Sequence, residues 1–308
     1  MIEGDTPADD NTPPRSSFIA VLGAPNAGKS TLVNRIVGTK VTIVSPKVQT
    51  TRTRVRGIAI VGPVQLVFID TPGIFNPKRR LERAMVAAAW DGAADADEVV
   101  LLVDAGRGLD DDTGRIVAGL KKSGRSAILA LNKIDVIRRE KLLELAAQFS
   151  AHDIFKQIFM ISAQTGDGVD DLVTLLADKA PVGPWMFPED EISDMPMRLL
   201  AAEITREKVF LQLQQELPYS ITVVTDQWQE RDDGSARIDQ TIVVQRENQR
   251  AIVLGKGGSR IKSLGQAART EMEYLFERRI HLFLHVKVIE DWLERRTVYN
   301  EWSLKFDA

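Results

Sequence analysis

The sequence predicts an α/β domain with a mostly parallel six-stranded sheet, followed by a smaller α+β domain. Over residues 18–180, short β-branched and apolar runs alternate with helical patterns, which is typical of a parallel sheet covered by helices. Residues 181–194 are dense in proline and acidic residues and are predicted to form a linker. The pattern then changes, so we expect a second domain over residues 195–308.

The strands of the first domain are predicted from six apolar runs, at 18–22, 55–61, 64–70, 99–104, 127–132 and 158–162. Only Gly62 and Pro63 separate the second run from the third, which is hairpin spacing, so this pair is expected to be antiparallel. The other strands can be parallel, because helical patterns lie between them, at 29–37, 81–90, 111–123, 139–149 and 169–179.

The second domain is predicted to begin with a helix over 203–217, where Val209, Leu213 and Leu217 recur at i, i+4 spacing. Two strands follow at 221–229 and 237–245, and two helices then flank a glycine loop at 255–258. A last strand is predicted over 281–288, where apolar and polar residues alternate strictly.

The composition excludes several classes of protein and site. The chain has no cysteine, which excludes disulfides, thiolate nucleophiles and cysteine-bound metals, and indicates a reducing compartment. Its 40 Lys and Arg residues balance 43 Asp and Glu residues, so any nucleic-acid site must be a local basic patch. No apolar run approaches the roughly 20 residues that span a bilayer. Residues 1–17 are acidic and rich in proline, and we expect a disordered tail rather than a targeting peptide.

The first predicted strand leads directly into GAPNAGKST, residues 23–31, which matches the phosphate-binding pattern GxxxxGK[ST]. In such a loop, backbone N–H groups converge on phosphate oxygens, Lys29 reaches the terminal phosphates and the Ser30 hydroxyl ligates magnesium. A glycine-rich turn between a strand and a helix is the alternative. The predicted nucleotide-binding residues here are Asn26, Ala27, Gly28, Lys29, Ser30 and Thr31.

The sequence DTPG, residues 70–73, stands at the end of an apolar strand downstream of the phosphate loop. There the Asp70 carboxylate can hold magnesium through water, and the Gly73 N–H can sense a γ-phosphate. The alternative is a turn that simply ends the strand.

Two further motifs predict recognition of guanine. In NKID, residues 132–135, the Asp135 carboxylate can accept hydrogen bonds from the two adjacent donors of guanine, whereas adenine offers an acceptor at that place. Lys133 can cover the base plane, and Asn132 can brace the phosphate loop. After the last strand, Ser162 and Ala163 follow, and the Ala163 N–H could donate to guanine O6. A polar helix start is the alternative for NKID.

In this order, the four motifs resemble those of the translation-factor-like GTPase superfamily, so the first domain is expected to be a P-loop GTPase. The segment SPKVQTTR, residues 45–52, is closely similar to switch I of the Era family. A switch threonine closes the magnesium shell when γ-phosphate is present, and we assign Thr51 first and Thr50 second. The resemblance implies Lys29, Thr51, Asp70 and Gly73 as catalytic residues, and Ser30, Thr51 and Asp70 as magnesium ligands.

The residue after DTPG is Ile74, where Ras-like enzymes have the glutamine that orients the attacking water. The resemblance therefore implies a GTPase with a hydrophobic substitution and slow hydrolysis without a partner. Asn26 occupies the position at which some relatives bind potassium beside the phosphates, so potassium is a hypothetical further ion besides Mg²⁺ and GTP or GDP.

The loop GKGG, residues 255–258, lies between two predicted helices, and the surrounding order of elements looks like a type II KH domain. Bare glycines let a sugar–phosphate backbone approach the loop, and six basic residues between 246 and 269 outnumber the single acid there. A solvated helix face with a glycine turn is the alternative. The predicted RNA-binding residues are Arg250, Gly255, Lys256, Gly257, Gly258, Arg260 and Lys262.

The resemblance to the Era family covers residues 18 to about 303. It implies GTP hydrolysis, binding to the single-stranded 3′ end of small-subunit ribosomal RNA and assistance in small-subunit maturation. It also implies a monomer in the cytoplasm with weak peripheral association to the inner membrane. Two rival functions remain. The chain could be an RNA chaperone with guanine nucleotide as a structural ligand and incidental hydrolysis, or an RNA-linked ATPase, which Asp135 opposes.

Overall fold

The structure, a computed structural model, describes residues 13–47, 50–213 and 221–308, apart from the side chain of Glu301. It divides into two compact units. The first unit comprises the described residues up to Val41, together with Arg54–Asn76 and Ala88–Asp194. The second comprises the described residues of Thr42–Thr53 and of Met195–Ala308, together with Pro77–Ala87. Two segments that the sequence pattern assigns to the first domain, Thr42–Thr53 and Pro77–Ala87, therefore group with the second unit.

The first unit contains a six-stranded sheet with strand order β2-β3-β1-β4-β5-β6. Its strands are β1 Arg15–Leu22, β2 Val55–Val61, β3 Val64–Asp70, β4 Glu98–Asp104, β5 Ala127–Asn132 and β6 Phe155–Met160. Only the β2–β3 pair is antiparallel, as the two-residue connection predicts. The predicted mostly parallel sheet is confirmed.

Two strands differ from their predicted bounds by more than one residue. β1 begins at Arg15 rather than residue 18, because Arg15, Ser16 and Ser17 pair with β3 although they lack an apolar pattern. The start of the predicted acidic tail, residues 1–12, lies outside the described residues. β6 ends at Met160 and begins at Phe155, three residues earlier than predicted, because its exposed residues at an edge of the sheet give no apolar run.

The helices of the α/β fold are α1 Lys29–Val37, α2 Arg80–Asp95, α3 Asp111–Ser123, α4 Arg139–Ser150 and α5 Val169–Lys179. The buried core between sheet and helices includes Leu32, Val33, Phe68, Leu102 and Leu172. Burial of such side chains stabilises the fold by about 1.5–3 kcal/mol each. α1 and the loops after the strands are thereby held at the carboxyl ends of the parallel strands, where ligands bind in such sheets.

The predicted linker, residues 181–194, packs against β2, an edge strand of the first unit. Ser193 forms an antiparallel bridge with Gly57, and the Ile192 carbonyl accepts a hydrogen bond of 3.0 Å from the Ile58 N–H. Asp194 forms an ion pair of 2.7 Å with Arg56. This segment therefore covers backbone groups of an edge strand that would otherwise be available for pairing with another chain.

The second unit contains a three-stranded sheet with strand order β7-β8-β9, in which β7–β8 is antiparallel and β8–β9 is parallel. Its strands are β7 Thr222–Glu230, β8 Ala236–Val244 and β9 Ile280–Val288, and its further helices are α6 Met197–Gln212, α7 Glu247–Leu254, α8 Ser259–Leu275 and α9 Arg296–Glu301. The core includes Val209, Phe210, Ile242, Val253 and Leu264.

The first helix of the second unit differs from its predicted range, 203–217. It begins at Met197, directly after Pro196, which restricts the preceding chain and is compatible with a helix start. It ends at Gln212, and Leu213 takes an extended conformation. The predicted position of Leu217 lies outside the described residues. In the part of the chain that the structure describes, no helix is both long and apolar enough to cross a membrane.

Candidate active site and nucleic-acid interface

The phosphate loop joins the end of β1 to the start of α1. Asn26 and Gly28 both have left-handed backbone conformations, with φ of 64° and 101°. Inside the loop, the Lys29 ammonium donates to the Gly23 and Ala24 carbonyls, each at 3.1 Å. Burial lowers the pKa of Lys29 to about 8, although the nearby charge of Asp70 acts in the opposite direction. The ammonium is therefore buried where phosphate oxygens could replace the two carbonyls as its partners.

Side chains of the NKID motif donate hydrogen bonds to backbone carbonyls of the phosphate loop. Asn132 Nδ2 donates to the Ala27 carbonyl at 2.8 Å, and Asn132 Oδ1 accepts from the Ala163 N–H at 2.9 Å. Lys133 Nζ donates to the Asn26 carbonyl at 2.9 Å. Asn132 thus connects the phosphate loop to the loop after β6, and these bonds fix the relative positions of three motifs that are far apart in the sequence.

Gly28 shows how closely these groups pack. A Cβ at this position would lie 2.4 Å from Asn132 Nδ2, and its φ of 101° is unfavourable for other residues. The glycine is needed here both for its conformation and for the close approach of Asn132.

Ser30 and Asp70 provide two oxygen groups side by side at the carboxyl end of β3. The Ser30 hydroxyl donates to Asp70 Oδ2 at 2.8 Å, and Asp70 is fully buried. A hydroxyl and a carboxylate are ligands that Mg²⁺ prefers, with nucleotide phosphates commonly completing its coordination. These two residues therefore fit the predicted magnesium site.

The DTPG turn packs directly on the phosphate loop. A Cβ at Gly73 would lie 2.9 Å from both Cα and N of Pro25, and the Ile74 N–H donates to the Gly23 carbonyl at 3.1 Å. Ile74 is only 3% exposed. The predicted γ-phosphate sensor is thus beside the loop, and the buried side chain at position 74 is aliphatic and has no group to orient water.

The predicted base-recognition residues meet at the ends of β5 and β6. Asp135 Oδ1 accepts a hydrogen bond of 2.6 Å from Ser162 Oγ, which orients the carboxylate. Lys133 has a φ of 68° and forms an ion pair of 2.6 Å with Asp104. Because the Ala163 N–H donates to Asn132 here, its bond to guanine O6 stays a prediction.

The predicted magnesium ligand Thr51 belongs to the second unit, whereas Ser30 and Asp70 belong to the first. Thr51 is 8% exposed. Before it in the chain, the Thr50 carbonyl accepts a hydrogen bond from Arg206, and the Val44 N–H donates to Glu207 Oε1 at 2.8 Å. The switch-like segment is therefore held by residues of α6.

The role of Arg52 in holding this segment could not be predicted from the sequence. Arg52 is 2% exposed, donates to the Ile221 carbonyl at 2.9 Å, and lies 5.1 Å and 5.7 Å from the ring centroids of Trp302 and Trp292. Burial, with a smaller contribution from the charge of Arg206, lowers the pKa of the Arg52 guanidinium. Desolvated cation–π contacts are worth about 2 kcal/mol or more. No local sequence pattern pairs an arginine with aromatic residues so distant in the chain.

The glycine loop lies between α7 and α8, as predicted. Gly255, Gly257 and Gly258 all have positive φ, of 70°, 59° and 77°. At Gly255 a Cβ would lie 2.7 Å from Arg260 Cβ, whereas at Gly257 and Gly258 it would meet nothing within 4 Å. The loop is therefore tight at its first residue and has bare, open backbone at its last two.

The basic residues around this loop are exposed, namely Arg246, Arg250, Lys256, Arg260, Lys262 and Arg269. Arg260 donates to the Ile252 carbonyl at 2.8 Å, and Arg250 forms an ion pair of 3.4 Å with Glu247. Charged side chains on both sides of an open glycine backbone suit a phosphodiester chain.

Two family models match the chain, one for each unit's characteristic motifs. The model described as "50S ribosome-binding GTPase" matches residues 18–133, and the model for the KH domain matches residues 216–293. GTPase Era of Rhizobium meliloti (strain 1021) is 56% identical over 296 residues, which cover 96% of this chain and 94% of that protein. The chain belongs to the Era family of GTPases.

Other relatives of the Era family agree with this assignment. GTPase Era of Caulobacter vibrioides (strain NA1000 / CB15N) is 53% identical over 314 residues, covering 97% of this chain and 99% of that one. A crystal structure of Era with MgGDPNP and nucleotides 1506–1542 of 16S ribosomal RNA is 38% identical, with a TM-score of 0.89, over 94% of this chain and 98% of that chain. A variant of Aquifex aeolicus Era bound to GDP and AlF₄⁻ matches with the same TM-score, identity and coverage.

As a member of the Era family, the chain is a GTPase with a P-loop GTPase domain followed by a type II KH domain, and both parts of the predicted fold are confirmed. The first family model would by its description suggest the large ribosomal subunit, but it covers only part of the chain. The relative matched over nearly the whole chain is bound to RNA of the small subunit.

Proposed function

We propose that this Era-family GTPase binds the single-stranded 3′ end of small-subunit ribosomal RNA and assists maturation of the small ribosomal subunit, with GTP controlling its affinity for RNA. The observation behind the proposal is the presence, in one chain, of the phosphate-loop motifs of a GTPase and an open basic glycine loop. The relative bound to both MgGDPNP and 16S ribosomal RNA supports the same pairing of ligands.

At the nucleotide site, each motif residue has a proposed part. Lys29 and the loop backbone at Asn26, Ala27 and Gly28 bind the phosphates, while Asp135 selects guanine. Thr31 lies in the first turn of α1, at the helix N-terminus that favours anions. Asn132, Lys133, Ser162 and Ala163 hold the loops that form the site.

In hydrolysis, Lys29 and the loop N–H groups stabilise the negative charge that develops on the phosphate oxygens. The Gly73 N–H senses the γ-phosphate, and Asp70 and Ser30 hold the magnesium ion, joined by Thr51 in the GTP state. Magnesium supplies charge neutralisation at the β- and γ-phosphates when it is bound. Because Ile74 cannot orient water, hydrolysis is slow until a partner completes the site.

The coupling between nucleotide and RNA follows from the place of Thr51. Thr51 is buried in the second unit, where the Thr50 carbonyl is bound to Arg206 and the Val44 N–H to Glu207. In the proposed switch, ligation of magnesium by Thr51 in the GTP state would change these contacts of the segment Thr42–Thr53. A useful switch requires a coupling of about 1–3 kcal/mol, and RNA must then change the affinity for GTP by the same factor.

The decisive experiment measures binding of a ribosomal RNA 3′-terminal oligonucleotide by fluorescence anisotropy at fixed salt, with the chain bound to a GTP analogue or to GDP. We expect tighter binding in the GTP form by about 5- to 150-fold. Equal affinity in the two states would overturn the coupling, and no binding in either would overturn the RNA assignment. A nucleotide-free control, Lys29→Ala, should bind RNA without responding to either nucleotide.

The second candidate is an RNA chaperone in which guanine nucleotide is a structural ligand and hydrolysis is incidental. The aliphatic Ile74 beside the phosphate loop favours this function. Steady-state turnover with and without the oligonucleotide separates the two candidates. RNA should accelerate GTP hydrolysis if hydrolysis controls RNA binding, and should leave the rate unchanged if the nucleotide is only a structural ligand.

Two finer properties are proposed on the resemblance to the Era family. Potassium, bound near Asn26, would accelerate hydrolysis, so equal rates in potassium and sodium buffers would remove it. We also propose a monomer in the cytoplasm with weak peripheral association to the inner membrane. Flotation of the chain with vesicles of inner-membrane lipids tests this, and a failure to co-float at low salt would contradict it.

A further inference from the structure

Arg107 lies in a tight turn after β4, outside all the recognised nucleotide motifs. The Asp104 side chain accepts from the Gly106 N–H at 2.9 Å, and the Asp104 carbonyl accepts from the Arg107 N–H at 3.0 Å. From this turn the Arg107 side chain reaches the phosphate loop, where its Nη1 donates to the Pro25 carbonyl at 3.2 Å.

Arg107 completes a set of three donors on three consecutive carbonyls. The carbonyls of residues 25–27 accept, in order, from Arg107, Lys133 and Asn132. In a trans peptide the carbonyl and the following N–H point to opposite sides. The N–H groups of residues 26–28 are therefore turned away from these three side chains, toward the interior of the loop.

The Ala27 N–H points toward the interior of the loop. It donates across the loop to the Ala24 carbonyl at 3.3 Å, and Ala24 is also a partner of Lys29. The side of the loop opposite Arg107 is thus the side on which Lys29 binds.

Arg107 binds the carbonyl of the peptide that joins Pro25 to Asn26. Proline has no N–H, so the carbonyl is the only backbone group by which the loop can be held at this residue. Pro25 is also the residue against which Gly73, the proposed γ-phosphate sensor, packs. A change in the orientation of this peptide would therefore affect the γ-phosphate end of the loop more than the end at Lys29 and Ser30.

The Arg107 guanidinium is itself held from the other side. Its Nη2 forms an ion pair of 2.5 Å with Asp110 Oδ2, while Asp110 Oδ1 accepts from the Thr113 N–H at 2.8 Å at the start of α3. The Asp110 carboxylate at the start of α3 thus lies against the guanidinium and favours its place beside the Pro25 carbonyl.

We propose that Arg107 is a positioning residue for GTP hydrolysis: by holding the Pro25 carbonyl, it directs the Asn26 N–H toward the phosphates at the end of the loop beside Gly73. Binding of GDP depends mainly on the other end of the loop, at Lys29 and Ser30. Loss of Arg107 should therefore affect binding and hydrolysis of the triphosphate more than it affects binding of GDP.

The test compares Arg107→Ala with Arg115→Ala as a matched control. Arg115 belongs to the same acidic cluster, with its Nε 3.9 Å from Asp112, and is 50% exposed against 45% for Arg107. Both substitutions remove one positive charge at a similar place, but Arg107 is the residue that donates to Pro25.

For Arg107→Ala we expect single-turnover hydrolysis of GTP with Mg²⁺ to fall about tenfold, the size expected for one charged hydrogen bond. Affinity for a GTP analogue should fall similarly, while affinity for GDP changes less than about twofold. In the nucleotide-free chain, amide exchange of a peptide covering residues 23–28 should accelerate. Arg107→Lys, which keeps one donor, should recover part of the rate.

Three results would overturn the proposal. In the first, Arg107→Ala hydrolyses GTP at the wild-type rate. In the second, Arg115→Ala loses as much of the hydrolysis rate as Arg107→Ala. In the third, Arg107→Ala lowers the affinities for GDP and for the GTP analogue equally. The last would mean that Arg107 supports the loop in general rather than its γ-phosphate end. The melting temperature of each variant separates these outcomes from loss of the fold.

Discussion

Two glycine loops of this chain are built in different ways: the phosphate loop at 23–28 and the KH loop at 255–258. Each leads into a helix N-terminus, at Lys29 and at Ser259. In the phosphate loop, side chains from other elements hold the backbone, and a Cβ at Gly28 would collide with one of them. In the KH loop, Gly257 and Gly258 face open space.

The difference indicates where each loop obtains its selectivity. A loop held on one side by fixed donors presents its N–H groups in one arrangement, which suits a single compact ligand. An open loop leaves room for a long backbone and selects by steric access and charge. Substitutions in the phosphate loop should therefore disturb contacts within the protein, whereas substitutions in the KH loop should change contacts with bound RNA.

The strongest test of this comparison is Lys29→Ala. It removes the buried ammonium that can bind the terminal phosphates, and each charged hydrogen bond is worth about 1.5–3 kcal/mol. We expect nucleotide affinity to fall at least about a hundredfold, which effectively abolishes binding. Titration with a fluorescent GTP analogue measures this, and RNA affinity of the nucleotide-free chain should be unchanged. A loss of RNA binding as well would break the separation of the two loops.

A smaller effect is expected from Gly28→Ala. The new Cβ would displace Asn132 from the Ala27 carbonyl, at a cost of about 1.4 kcal/mol, roughly a tenfold loss of GDP affinity, while the left-handed φ lowers stability by about 1 kcal/mol. Gly38→Ala is the matched control, because Gly38 also has a positive φ, of 83°, but has nothing within 4 Å of a Cβ. The control should lose about 1 kcal/mol of stability and no affinity. Equal affinities for the two variants would contradict the collision.

In the KH loop, Gly257→Asp should weaken binding of the RNA oligonucleotide about tenfold through repulsion between carboxylate and phosphate. Gly257→Asn is the control, since asparagine also tolerates left-handed φ and has nearly the same size without the charge. It should weaken binding less than about threefold, and both variants should bind GDP normally. If the asparagine and aspartate variants lose equal affinity, steric access rather than charge governs this loop.

The smallest expected effect concerns the buried ammonium in the phosphate loop. Burial lowers the pKa of Lys29 to about 8, and bound phosphates would favour the protonated form and raise that pKa. Nucleotide binding near pH 8 should then take up about 0.5 proton, and affinity should fall about twofold from pH 7 to pH 8. Calorimetry of GDP binding in two buffers of different ionisation enthalpy measures the uptake. Release of protons, or no exchange, would contradict the buried cationic site.

Much of the fold and of the nucleotide site could be predicted because the signals are local. β2 and β3 are joined by two residues, so their antiparallel pairing follows from the connection alone. The residues from Gly23 to Ser30 have the required spacing in the chain, and the parallel sheet brings them to the same edge as Asp70 and Asp135. The positions of these side chains at the ends of strands needed no knowledge of distant contacts.

The amino-acid sequence by itself determined the order of the strands and helices along the chain, the chemical groups of the nucleotide site and the bare backbone of the KH loop, because each depends on short spacings. Only the tertiary structure decided that Thr42–Thr53 belongs to the second unit and that residues 181–194 cover the edge of β2. It also decided which partners Arg52 and Arg107 have. Such contacts join residues far apart in the chain, and they depend on packing and burial, which no local pattern records.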